Sequence, residues 1–195
     1  MTIAFVLGNG TSRQGIDLDE LKAHGKIYGC NALYREFSPD VLVATDKPIA
    51  GQIQELGYSK ANRFHTRKPN PGSGALPVPK KYYGYSSGPI AVSLAAEDQH
   101  HMIYMLGFDM GPTLNQRFNN IYADTEFYKS STGTPTFTGN WVKQLKTITG
   151  DFPTTHFIRV FGETTSTIND LEKLSNLHNL NLSDFLNRFS LKRCQ

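Results

Sequence analysis

The sequence has little with which to cross-link, anchor or export itself. It holds two cysteines, Cys30 and Cys194, in 195 residues. Two thiols without metal-ligand spacing give neither a disulfide framework nor a zinc site, and they suit a reducing compartment. Uncharged apolar runs are short, Ile3 to Leu7 being typical, whereas a membrane-spanning helix needs roughly 20 apolar residues, so no membrane span is expected. The start, Met1-Thr2-Ile3-Ala4-Phe5-Val6-Leu7, lacks the basic region and cleavable small-residue end of a secretory signal, which points to the cytoplasm. Charge of one sign is scarce as well. Lys and Arg number 20 against 17 Asp and Glu, a net of +3. The excess is local, at Arg63, Arg67 and Lys68, at Lys80 and Lys81, and at Lys192 and Arg193. It suits an anionic small molecule as well as nucleic acid, which is permitted as a partner but not required. A solvated rim explains the same clusters.

What is present is the composition of a packed globule, 38% hydrophobic and 11% aromatic, at a length that fits one domain over 1–195. Ile3 to Leu7, closed by Gly8-Asn9-Gly10, reads as a central strand buried on both faces. Ile16, Leu18 and Leu21 with acidic residues between them predict a short helix. Lys26–Cys30 and Val41–Thr45 read as strands, and Pro48 through Leu56 as a helix closed by Gly57. Arg63–Thr66 offers another strand. Residues 69–81 are proline-rich and irregular, a candidate lid. Ser86-Ser87-Gly88-Pro89 opens an alanine-rich helix whose small residues let it pack closely. His101–Leu106 is a buried strand ending in Gly107-Phe108-Asp109. Residues 111–139 are polar and irregular, Trp141–Ile148 is a helix, and His156–Phe161 reads as the last strand. The tail reads as helix over 167–177 and 183–189. Strands alternating with helices predict an α/β, doubly wound, mostly parallel Rossmann-like sheet, with ligands bound at the carboxyl ends of the strands.

The segment Gly8-Asn9-Gly10-Thr11-Ser12-Arg13 carries the most chemical information. Its glycines let a ligand approach the backbone, and its N–H groups with the Thr11 and Ser12 hydroxyls can hold phosphate oxygens. The lysine of a phosphate-binding Walker loop and the third glycine of a dinucleotide fingerprint are both missing. Asn31, Asp46 and Asp109 each follow a strand. Asn31 can read a base or ribose edge, Asp46 can accept from a ribose hydroxyl or hold a cation, and Asp109 can act as base or anchor. Asn and Asp are also ordinary turn and cap residues, so their joint placement carries more weight than any one of them.

With these residues in view the chain resembles a known family. Val6-Leu7-Gly8-Asn9-Gly10-Thr11-Ser12, Ile16-Asp17 and Tyr28-Gly29-Cys30-Asn31-Ala32-Leu33-Tyr34 are similar to the amino-terminal pattern of bacterial sialyltransferases that decorate lipooligosaccharide. Ser86-Ser87-Gly88 and Ile103-Tyr104-Met105-Leu106-Gly107-Phe108-Asp109 resemble that family's second block. The pattern, with Ala44-Thr45-Asp46, also resembles motility accessory factors and archaeal pterin pyrophosphokinases. The sialyltransferase resemblance implies a Rossmann-like domain holding a CMP-sugar with no obligatory metal or other cofactor, a flexible lid and often a homo-oligomer. It implies phosphate and sugar contacts at Asn9 and Ser12, cytidine contacts at Asn31, and nucleotide and sugar contacts at Ser86, Ser87 and Gly88. The catalytic half departs from the family. No histidine lies in Thr136-Phe137-Thr138-Gly139-Asn140, and Tyr122 and Tyr128 are the tyrosines available to stabilise a leaving phosphate.

Inverting glycosyl transfer needs a base on the acceptor hydroxyl and stabilisation of the departing phosphate. Asp109 is the first candidate base by position and Asp46 the second, while His65 and His156 require the fold to bring them round. Arg67 and Lys68 can neutralise phosphate charge if the 69–81 loop closes. Three functions follow: a transferase acting from a nucleotide-activated sugar on a glycan or nucleobase acceptor; a nucleotide-binding module without catalysis; and a phosphotransferase in which Asp46 and Asp109 hold Mg²⁺.

Overall fold

The computed structural model describes residues 2–193, so Cys194, the second thiol, lies outside the described residues. The first strand, β1 (Ile3–Leu7), sends Ala4 and Val6 to one face and Phe5 and Leu7 to the other, and all four are fully buried. Period-two alternation with apolar residues on both sides is what a central strand needs. On one side β1 pairs with β2 (Lys26–Cys30), which pairs with β3 (Val41–Val43), β4 (Phe64–Thr66) and β5 (Leu76–Pro77) in turn. On the other side it pairs with β6 (Met102–Leu106), followed by β7 (His156–Phe161) and β8 (Leu177–Asn181). The result is one eight-stranded sheet in the order β5-β4-β3-β2-β1-β6-β7-β8, parallel throughout.

Helices cover both faces. The central α3 (Ser87–Glu97) is buried continuously from Pro89 to Ala96, which is the expected state of a helix apolar all round. It packs on Val6, Tyr28, Val43 and Met105 together with α4 (Gly139–Asp151) and α5 (Asn169–Glu172). The opposite face carries α1 (Leu18–Lys22), α2 (Lys47–Glu55) and α6 (Leu182–Arg188) over Phe5, Leu42, Tyr104 and Ile158. Asp17 caps α1 by accepting from the N–H groups of Asp19 and Glu20, and a proline lies in the first turn of α2. No helix among the described residues is long and apolar enough to cross a membrane.

One expectation needs correction. The tail is not wholly helical: β8 adds to the sheet beyond β7, from Phe157 opposite Leu177 to Phe161 opposite Asn181, and α5 spans four residues only. Leu174, Leu177 and Leu180 mimic helical spacing, but within β8 only Leu177 is buried, so this edge strand shows no alternation. Residues 69–81 are irregular as expected apart from one short strand. They contribute β5 at the sheet edge, where Pro77 costs no inner ladder bond.

The chain winds from β1 out to β5, then returns to place β6 beside β1. Strand order therefore reverses between β1 and β6, and a crevice must open above their carboxyl ends.

Candidate functional site

At that reversal the loops after β1 and β6 are joined backbone to backbone. Gly8 N–H donates to the Leu106 carbonyl (2.8 Å) and Gly10 N–H to that of Gly107 (2.9 Å). Side chains would not fit between them: a Cβ on Gly8 would sit 2.6 Å from the Gly107 carbonyl oxygen, and Gly107 itself has φ +71°. Two buried arginines grip the loops from below. Arg13 donates from Nε to the Gly8 carbonyl (2.6 Å), and Arg159 donates to the carbonyls of Phe108 (2.9 Å) and Asp109 (3.0 Å). Burial pulls the Arg159 guanidinium down to about 10, which leaves it charged at neutral pH.

A cavity of about 210 Å³ opens above this seam. Gly8, Asn9, Gly10, Asn31, Asp46, Ser86, Ser87, Gly88 and Asp109 all line it, so nine residues expected from scattered strand ends and one helix start share a single pocket. Thr11 and Ser12 do not. The Thr11 N–H and hydroxyl both donate to Asn119 Oδ1 (2.9 Å each), and the Ser12 N–H and hydroxyl both donate to the Asp109 carboxylate. Hydrogen-bonding capacity alone gave no direction, and these groups are spent inside the protein. Of the loop's N–H groups from 8 to 12, Asn9 N–H alone is left without a protein acceptor among the described residues.

Asp109 is 3% exposed and accepts five hydrogen bonds, from Ser12 N–H and Oγ, Asn119 Nδ2, Thr164 Oγ1 and Thr165 Oγ1. A carboxylate so filled has no free lone pair to take a substrate proton and is built as an anchor. Asp46, exposed at the start of α2 and with no side-chain capping bond, is the open carboxylate of the cavity. The two carboxylates therefore differ: Asp109 is committed to donors and Asp46 is open, and the described residues include no group of three His, Cys, Asp or Glu placed to hold a metal.

The rest of the lining sets several donors among apolar groups such as Pro89, Phe108 and Met110. Ser87 and Gly88 begin α3, and their N–H groups have no acceptor among the described residues. Among the described residues Arg67 is the one cation of the lining; Nε and Nη2 donate to the carbonyls of Tyr83 (2.9 Å) and Tyr85 (2.8 Å), and Nη1 has no acceptor among them. The 111–138 segment supplies Gly111, Asn119 and Asn120, which sequence reading missed because the segment has no periodicity. Trp141 closes another side, its Nε1–H bonded to Ser86 Oγ (3.0 Å). Asn31 and Met110 line the cavity at φ +53° and +54°; non-glycine residues held in that region gather at functional sites.

The remaining candidates lie elsewhere. His65 is buried, its Nδ1–H bonded to the Pro77 carbonyl (2.9 Å) and its Nε2 to Arg63 Nε–H (3.2 Å), and burial lowers its pKa. His156 starts β7 and stacks on His178 with ring centres 5.9 Å apart. Tyr122 donates to Glu36 (2.6 Å) and Tyr128 accepts from Ala32 N–H (3.3 Å), and burial raises the pKa of both. No histidine or tyrosine lines the cavity among the described residues, and nothing from 69–81 does. The Cys30 thiol lines it, but burial pushes that thiol up to about 12, out of the nucleophilic range at neutral pH.

No family model matches the sequence, and no curated protein does. Solved structures do match. The sialyltransferase CstII from Campylobacter jejuni, in complex with cytidine-5'-monophosphate, aligns with a TM-score of 0.52 at 14% identity over 90% of this chain and 86% of that one. A single-residue variant of the sialyltransferase CST-II in complex with CMP gives 0.56 at 11% identity over 97% and 98%. CST-II in complex with a trisaccharide acceptor and CMP gives 0.53 at 12% identity over 97% and 99%. This chain shares their fold across nearly its whole length.

Proposed function

We propose that this sialyltransferase-like fold holds a nucleotide-activated sugar of the CMP type in the β1/β6 cavity and transfers the sugar to an acceptor hydroxyl. The observation that carries the reading is a set of donors on one cavity: the N–H groups of Asn9, Ser87 and Gly88, without acceptors among the described residues, and the Arg67 guanidinium, at the place where open α/β sheets bind ligands. A helix amino terminus with a cation next to it favours a phosphate ester. In the transfer, the bond from the anomeric carbon to the phosphate oxygen breaks as the acceptor oxygen attacks from the opposite side. The negative charge gained by the phosphate falls on Arg67 and the α3 start, and the acceptor proton passes to Asp46. Asp109 holds the loops in place and takes no part in proton transfer.

A second reading has its own support. No histidine or tyrosine lines the cavity among the described residues, which suits a nucleotide-binding protein without turnover. One experiment separates the two. Trp141 is the only tryptophan and lines the cavity, so its emission reports ligand entry, and product formation is followed separately. Purified protein is titrated with CMP-sugars, UDP-sugars and ATP, with and without EDTA, in the presence of glycan acceptors. Saturable quenching by CMP-sugars with EDTA-insensitive turnover supports the transferase; quenching without turnover supports the binding module. No response to any nucleotide overturns both.

A further inference from the structure

The cavity contains asparagines whose two ends are not equivalent. Asn120 Oδ1 accepts from the Tyr122 backbone N–H (2.9 Å), which can only donate, so its NH₂ is the end left for the cavity. Asn31 is held by a longer chain. Thr45 N–H donates to Ser87 Oγ (3.0 Å), the Thr45 and Ser87 hydroxyls are 3.0 Å apart, and Ser87 Oγ lies 2.9 Å from Asn31 Oδ1. Thr45 is 6% exposed and Ser87 4%, and although both border the cavity, the favoured arrangement is the one that gives each proton in the chain an acceptor within the protein. One assignment satisfies them all: both Thr45 protons go to Ser87 Oγ, and the Ser87 hydroxyl proton goes to Asn31 Oδ1. With the Asn31 amide reversed, its NH₂ would face Ser87, the Ser87 proton would turn back to Thr45, and the buried Thr45 hydroxyl proton would have no acceptor among the described residues.

We propose that Thr45 and Ser87 are positioning residues that lock the Asn31 carboxamide with its NH₂ toward the cavity, so that ligands are sorted by whether they present a hydrogen-bond acceptor there. The inference rests on the nucleotide reading above. A pyrimidine whose N3 and O2 both accept, as in cytosine, satisfies this lock, whereas uracil offers an N3–H that meets another donor. A site built around one hydrogen-bonding pattern rejects the mismatched analogue strongly, because buried donors are left unpaired.

The probes are CMP and UMP, titrated by Trp141 emission against the wild type, Ser87→Ala, Ser87→Thr and Thr45→Val. The wild type is expected to bind CMP at least about tenfold more tightly than UMP. Ser87→Ala frees the amide to reverse and brings the two affinities to within about threefold. Ser87→Thr keeps the ratio, and Thr45→Val lowers it partway. Equal affinities in the wild type, or a Ser87→Ala variant that weakens both nucleotides alike, overturn the lock. Neutron diffraction from the free wild-type protein tests it without a ligand: a deuteron on Ser87 Oγ directed at Asn31 Oδ1 supports it, and an Asn31 amide nitrogen facing Ser87 overturns it. If neither nucleotide binds, the functional reading fails and the neutron result alone decides the lock.

Discussion

At the amino end of the sheet, Tyr28 donates to Asp98 (2.6 Å), Arg63 grips the same carboxylate (2.6 and 3.2 Å), and Arg63 Nε reaches His65 (3.2 Å), which donates onward to Pro77. His100 Nε2 completes the cluster on Tyr28 (3.1 Å). Nearly every polar atom there is paired; His100 Nδ1 is the buried exception. At the carboxyl end the Asn9, Ser87 and Gly88 N–H groups are unspent, and they border a cavity. Both ends are polar, yet the amino-end cluster finishes its hydrogen bonds within the protein and the carboxyl-end cluster leaves them for something else. A closed network rigidifies a fold, and an open one surrounding a hollow marks a candidate ligand site.

The anchor between the two kinds is Asp109, and removing it should have the largest effect. Asp109→Ala leaves five donors without their acceptor and is expected to lower unfolding free energy by about 3 kcal/mol or more, read by urea denaturation, and to abolish nucleotide-induced quenching. A loss under about 1 kcal/mol would show that Asp109 is not the anchor. Arg67→Met tests the open end alone. Nucleoside monophosphate affinity should fall about tenfold or more, as expected when a charge-assisted contact to phosphate is lost, and unchanged affinity would place the phosphate elsewhere. Tyr28→Phe tests the closed end alone, with an expected cost of about 1 kcal/mol and no change in nucleotide affinity; a change in affinity would mean the ends are coupled.

The smallest effect is with pH. Burial lowers the pKa of both His65 and His100 below the ordinary 6.5. The unfolded chain therefore binds their protons first, so their contribution is complete above 6.5 and is lost as pH falls below it toward the folded values. Burial raises Asp98, but the bonds from Arg63 and Tyr28 outweigh it and hold the carboxyl below 3.8, so its contribution fades only in stronger acid. Urea midpoints measured from about pH 8 to about pH 5 should decline through the lower half of that range. A flat profile would remove the histidines from the account.

Much of this site could be read from residues alone because each part sits at a local boundary. Gly8-Asn9-Gly10 closes an apolar run, Asn31 and Asp46 follow strands, and Ser86-Ser87-Gly88-Pro89 opens a helix; the parallel topology then brings such boundaries to one edge. What escaped lacks that local mark. Thr11 and Ser12 have the right chemistry but turn inward, because Asp109 and Asn119 claim them. Asn119 and Asn120 sit in a segment without periodicity, and β8 escaped because an exposed edge strand has no alternation to show. Arg13 and Arg159 were not foreseen as loop holders, since arginine is rarely buried and its acceptors here are backbone carbonyls that no side-chain pattern betrays.

The donors gathered on Asp109 come from residues 12, 119, 164 and 165, so they are far apart in the order of synthesis. A chain emerging from the ribosome has seven strands available once Phe161 is out, yet two of the groups that fasten the pocket wall are still to come. The central strands β1 and β6 are therefore made before the last two donors that fasten the loops above them, and only α5, the edge strand β8 and the last helix follow.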